Sequence, residues 1–231
     1  MNEFKDYNQL LRYLRNNSDA KFNQFNKRIV KSKIQTIGCT VTFIRKVAKS
    51  CSLDFVLSLP VNKFVEVDLL RGIVISSAKL PFDKKTKLLT EFADNIENWA
   101  VCDCSVVKIT NDEKPLYFDY FCKLVEDISV FKCRYGVVNL LSNYIDDNHI
   151  ENIFTTFDRI RLWNNYYVDM AVAWFIATAM VKCRNKTIKY MEGEGRSVLS
   201  KFAYNTALQK MRDSRRVCAE DKQRTYSLKI S

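Results

Sequence analysis

The stretch Asn98-Trp99-Ala100-Val101-Cys102-Asp103 carries the strongest chemical signal in the chain. Trp99 and Asp103 are four residues apart, so on a helix they share one face, one turn apart. The ring face attracts a cationic group. The carboxylate stabilises positive charge that develops beside it. Asp103 sits in an otherwise apolar run, and an unpaired carboxylate there would be costly to bury. It is therefore expected to face solvent, a partner or a site. Arg134 follows 31 residues after Asp103, and Trp174 follows 40 residues after Arg134. An arginine fork at such a place suits a phosphate. Each residue also has a plainer reading. Either tryptophan could fill a core, and Arg134 could bridge Asp103 or another acid.

These side chains need a scaffold, and composition restricts it. The 231 residues are 47% hydrophobic, with only 5 Gly and 3 Pro. A sandwich or barrel rich in tight turns would need more of both. Apolar positions recur at helical spacing near 4–16, 19–31, 41–50, 53–58, 62–79, 84–95, 98–109, 115–125, 130–145, 150–160, 166–183, 186–190 and 196–214. The sequence thus predicts an all-α protein. Helices opening near Val67, Trp99, Arg134 and Asp169 resemble one another, with small and β-branched residues after one or two functional side chains. Their spacing of roughly 35 residues matches a two-helix repeat. The expected architecture is an α-solenoid of HEAT-like helical repeats, curved, with a concave basic face lined by every second helix. A non-repetitive helical bundle is the alternative. Residues 1–231 read as a single domain. On such a face Trp99, Asp103, Arg134 and Trp174 would converge.

Charge points to the partner. Residues 1–50 hold 11 Lys+Arg against 3 Asp+Glu, and residues 201–231 hold 8 against 3. The 150 residues between them come to −2 within the total of +11. Two basic ends around a near-neutral centre suit a body that grips a polyanion. Lys27, Arg28, Lys31, Lys33, Arg45 and Lys46 cluster near the N-terminus, and Lys201, Lys210, Arg212, Arg215 and Arg216 near the C-terminus. The longest apolar run, Met170 to Val181, is too short to span a bilayer. The 8 cysteines follow no recognisable signal peptide, so reduced thiols are expected. Cys102 and Cys104 form no zinc-type pair, and the only histidine, His149, reads as a surface-loop residue, so no metal site is expected. Glu192-Gly-Glu-Gly-Arg reads as a turn between helices.

Taken together, these residues resemble the AlkD-like DNA alkylation-repair proteins, glycosylases built from HEAT-like repeats. The Trp-x-x-x-Asp motif falls on Trp99 and Asp103, the arginine on Arg134 in Phe131-Lys-Cys-Arg, and the second tryptophan on Trp174 in Met170-Ala-Val-Ala-Trp. Ile37-Gly38 with Arg45-Lys46, and Leu199-Ser-Lys with its basic helix, extend the resemblance to both ends. It implies release of cationic alkylpurines such as 3-methyladenine and 7-methylguanine from double-stranded DNA. Asp103 would stabilise the oxocarbenium-like sugar, Trp99 and Trp174 would pack against sugar and backbone, and Arg134 would hold a phosphate. It implies no cofactor, no membrane, a monomer and a cytoplasmic, nucleoid-associated setting. A non-catalytic DNA-binding relative and a helical protein-interaction scaffold are the other readings. Asn98 and Ala100 flank the motif where the family often has a second Trp and an acid. Ile29-Val30-Lys31-Ser32 stands where an aromatic is expected.

Overall fold

The computed structural model describes residues 4–230, and among them the chain is helical throughout, apart from one isolated parallel bridge between Gln35 and Phe64. It divides into two compact units, Met1–Lys108 and Ile109–Ser231.

The first unit holds α1 (Tyr7–Asn16), α2 (Ala20–Val30), α3 (Val41–Ala48), α4 (Leu53–Ser58), α5 (Val65–Ser77), α6 (Phe82–Ala93) and α7 (Trp99–Cys104). Side-chain caps start most of them. Asp6, Asp19, Thr40, Ser52 and Asn98 each accept a backbone N–H from the first turn that follows, which satisfies a donor that has no partner within the helix. Helices α3, α5 and α7 pack in a row, with α4 and α6 also against α5. Packing is tightest at Gly72 of α5. A Cβ there would meet the Ser105 hydroxyl at 2.2 Å and the Phe92 ring at 2.4 Å. Only a hydrogen at this position lets α7 come so close.

Two buried acids organise the approach to α5. Glu66, 2% exposed, accepts from the backbone N–H groups of Ile37, Gly38 and Cys39 at 2.9, 2.7 and 3.2 Å. Gly38 sits at φ +107°, where other residues are strained. Three donors hold the carboxylate in place of water. Asp68, 4% exposed, has one oxygen on the Asn62 N–H at 3.0 Å and no hydrogen bond to the other. Arg71 lies close by and donates to the carbonyls of Leu57 and Leu59.

The second unit holds α8 (Lys114–Val125), α9 (Val130–Asn143), α10 (Ile150–Phe157), α11 (Tyr166–Lys182), α12 (Arg184–Glu192), α13 (Gly195–Val198), α14 (Lys201–Asp213) and α15 (Ala219–Leu228). Here α9, α11 and α14 pack in one layer, and α8, α10 and α12 contact each other in a second. Leaving out the four-residue α13, every second helix is a neighbour, as stacked helical pairs require. The core is apolar, with Phe121, Tyr135, Tyr144, Phe157, Phe175 and Tyr204 fully buried.

The structure corrects several local expectations. The helix expected over 98–109 stops at Cys104. The one expected over 196–214 is broken at Leu199–Ser200, because Ser200 caps α14. His149 does lie in the loop before α10, but it is half-buried rather than on the surface. Its ring lies 2.7 Å from the Asp146 carboxylate and packs against Phe118 and Tyr144. No helix was expected beyond residue 214, yet α15 forms. Only Asp221 and Thr225 of α15 are buried. It docks mainly through polar contacts: Arg184 with Asp221, Arg224 with Glu192, and Asn205 with the backbone of Ile230. Within Glu192-Gly-Glu-Gly-Arg only Gly193 and Glu194 form the turn, since Glu192 ends α12 and Gly195 opens α13.

Burial pushes the Asp68 carboxyl up to about 6, against the Asn62 hydrogen bond and the Arg71 charge, while Glu97 adds to the rise. The folded value lies above the unfolded one, so the folded state binds more protons between them. This group therefore lowers stability as pH rises through about 6. Asp68→Asn keeps the acceptor for Asn62 and removes the buried charge. It is expected to raise the melting temperature by about 2–4 °C at neutral pH and to change it little near pH 4. Thermal unfolding at the two pH values checks this, and an unchanged melting temperature at neutral pH contradicts it.

Candidate functional site

Helix α7 is only six residues long, and buried polar groups hold both its ends. Asn98, 2% exposed, accepts the Val101 N–H at 3.0 Å. At the other end the Ser76 hydroxyl of α5 donates to the Ser105 carbonyl at 2.5 Å. Val101 and Cys102 then face the core, at 1% and 0% exposure, while Trp99, Ala100, Asp103 and Cys104 lie on the half-exposed side. Trp99 and Asp103 therefore share one accessible face, as the four-residue spacing predicts. Asn98 is the residue that starts this helix.

The Trp99 indole N–H donates to the Ile29 carbonyl at 3.3 Å, which ties the ring to the last turn of α2. Around that turn Lys27, Arg28, Lys31 and Lys33 are exposed, with Lys31 in a left-handed cap at φ 49°. Arg45 and Lys46 are exposed in the last turn of α3, where cations also complement the helix dipole. Burial raises the Cys104 thiol, the Arg45 charge lowers it and the Asp103 charge raises it. Both charges are therefore felt at the same sulfur.

Arg134 and Trp174 belong to the second unit. Arg134 is only 6% exposed and donates to the Tyr167 carbonyl at 2.6 Å, so part of its guanidinium joins α9 to the start of α11. Trp174 is 39% exposed although its neighbours Ala173 and Phe175 are fully buried. With Tyr166 it is one of two large aromatics that the most apolar helix turns outward. The C-terminal cations divide into two groups. Lys201, Arg215 and Arg216 are exposed, whereas Lys210 and Arg212 are half-buried. Arg212 lies 4.9 Å over the Tyr226 ring and donates to Thr225 and Gln209, joining α14 to α15.

Sequence reasoning missed a buried pair beneath these residues. Asp169, 1% exposed in the first turn of α11, accepts from the Ser200 hydroxyl at 2.7 Å. The same hydroxyl accepts the Ala203 N–H at 3.0 Å, so it caps α14 while it holds Asp169. Burial raises the Asp169 carboxyl, and the hydrogen bonds from Ser200 and Asn164 act the other way. An acid one turn into an apolar helix, followed 31 residues later by a capping serine, was the available sign. Among the described residues no three His, Cys, Asp or Glu side chains cluster as a metal ion would require, and no helix is long and apolar enough to cross a membrane.

Ser200→Ala removes the cap and leaves Asp169 buried without its donor. The expected cost is about 2–4 kcal/mol, or roughly 5–10 °C in melting temperature for a protein of this size. Ser200→Thr should recover most of it. Melting curves of both variants check this, and a Ser200→Ala protein that melts like the parent contradicts it.

A family model described as DNA alkylation repair enzyme matches residues 10–211. No curated protein and no solved structure matches the chain.

Proposed function

The chain belongs to the DNA alkylation repair enzyme family, and on that premise we propose that it is a DNA glycosylase releasing cationic alkylated purines, 3-methyladenine and 7-methylguanine, from duplex DNA. The observation that carries this reading is the accessible α7 face. It offers an aromatic ring and a carboxylate one turn apart, held by Asn98 and Ser105.

An alkylpurine that already bears positive charge is a good leaving group. Its glycosidic electron pair passes to the base, which departs neutral, and the deoxyribose becomes oxocarbenium-like. Asp103 stabilises that charge electrostatically and orients the water that attacks the sugar carbon. Because the lesion supplies the charge, no cofactor is needed. Trp99 and Trp174 pack against the sugar and backbone beside the lesion, with ring faces that favour cations. Arg134 holds a flanking phosphate. Lys27, Arg28, Lys31, Lys33, Arg45, Lys46, Lys201, Lys210, Arg212, Arg215 and Arg216 supply the salt-sensitive, sequence-independent grip on phosphates. The exposed members of this set contribute most, because Arg212 is already engaged with Tyr226 and Thr225. The protein acts as a monomer on double-stranded DNA.

Incubation with a duplex carrying 7-methylguanine, followed by chromatographic assay of free base, tests the reading. The parent protein is expected to release the base well above the spontaneous rate. Asp103→Asn should lose about a hundredfold or more of that rate while still binding the duplex. An Asp103→Asn protein as active as the parent would falsify the role of this carboxylate. Salt-sensitive binding by the parent without release would instead make it a non-catalytic DNA-binding member of the family.

A further inference from the structure

Four aromatic rings form a continuous strip across three helices of the second unit. Phe131 and Tyr167 have ring centroids 5.1 Å apart, Tyr167 and Tyr166 5.4 Å, and Tyr166 and Phe202 6.0 Å. Phe131 is the second residue of α9, Tyr166 and Tyr167 open α11, and Phe202 is the second residue of α14. The rings therefore line up along the N-terminal ends of the layer. Tyr166 is 59% exposed and Phe202 45% exposed, while Phe131 and Tyr167 are half-buried. Single exposed apolar side chains are ordinary. Two neighbouring exposed rings continued by two half-buried ones are not, and mark an interaction surface.

The strip is rigidly mounted. Asn165 accepts the Tyr167 N–H at 3.0 Å, and Arg134 donates to the Tyr167 carbonyl. The Asp169–Ser200 pair ties the start of α11 to the start of α14, within three residues of Tyr166 and of Phe202 in sequence. Tyrosine and phenylalanine lose little side-chain freedom on contact with a partner. Charge frames the surface on one side only. Lys201 is exposed next to Phe202 and Arg161 is exposed in the loop leading into α11, while of the acids at these helix starts Asp169 is buried and Asp127 is paired with Lys132 at 3.3 Å. Flat ring faces bordered by cations suit a nucleobase with its phosphate. A perfect duplex hides base faces inside its stack, and an unpaired base offers them.

We propose that Tyr166 and Phe202 form a stacking platform for unpaired bases, so that the protein binds DNA containing unpaired positions more tightly than perfect duplex. This deepens the proposed function and rests on its DNA partner, not on its chemistry. Fluorescence anisotropy with a labelled perfect duplex, and with the same duplex carrying an unpaired three-thymine bulge, tests it. The parent protein is expected to prefer the bulged duplex by about tenfold, the scale of one stacked base. Tyr166→Ala combined with Phe202→Ala should bring the preference down to within about twofold, while Tyr166→Phe should keep it. Both side chains are exposed, so the melting temperature of the double variant should move by only about 2 °C or less. Equal affinity of the parent for the two duplexes overturns the platform, and so does a preference that survives the double substitution. Base release from a 7-methylguanine duplex, assayed in parallel, separates the two ideas. Preference without release sinks the glycosylase reading alone, and release without preference sinks the platform alone.

Discussion

Polar caps decide where the functional helices begin, and Trp99, Lys201, Tyr166 and Phe202 stand at those beginnings. A short helix has as many unsatisfied N–H groups at its start as a long one, so its register depends on the residue that captures them. Asn98 does this for α7 and thereby sets Trp99 as its first residue and Asp103 one turn on. Ser200 does it for α14 and places Lys201 and Phe202. Asn165 does it for α11 and places Tyr166 and Tyr167. Moving any of these starts by one residue would rotate the helix by about 100° and turn the accessible face inward.

The caps matter because the helices beneath them are nearly featureless. Helix α11 is apolar on every side, and from its own sequence nothing distinguishes the face that meets α9 from the face that meets solvent. Its orientation comes from polar contacts at one end, namely Arg134 to the Tyr167 carbonyl and Asp169 to Ser200. In the first unit Glu66 plays the same part, joining the start of α5 to the three N–H groups ahead of α3. Buried charges are expensive unless satisfied. Glu66 is satisfied by three N–H groups, so it helps to select register as well as contribute to stability. Asp68 and Asp169 each keep one oxygen without a hydrogen bond, and burial raises both carboxyls.

Helix α15 shows the opposite strategy. It follows the part of the chain matched by the family model and buries few side chains. Its attachment is assembled from ion pairs and a cation–π contact made by Arg184, Arg212 and Arg224. Such contacts are mostly exposed and weak individually. Part of the basic C-terminal composition that suggests a polyanion partner therefore also serves to dock the last helix.

Much of this was legible in the residues. Few glycines and prolines with helical apolar spacing require an all-helical chain, and the similar helices near Val67, Trp99, Arg134 and Asp169 anticipate the layering of alternate helices. The shared, accessible face of Trp99 and Asp103 follows from their spacing and from the cost of burying a carboxylate. Other features depend on distant parts of the chain and have no local signature. α15 lacks an apolar stripe because its partners are charges on other helices. Trp174 and Trp99 both lie in apolar helices, and only packing settles that each reaches the surface. Arg134 reads in sequence as a phosphate fork or a bridge to an acid, yet it is buried and donates to the Tyr167 carbonyl at 2.6 Å. Periodicity and composition are properties of a segment by itself, so the sequence alone determined the helical class and the chemistry on offer. Burial and hydrogen-bond partners are properties of what packs against that segment, and only the tertiary structure decided which of those residues face outward.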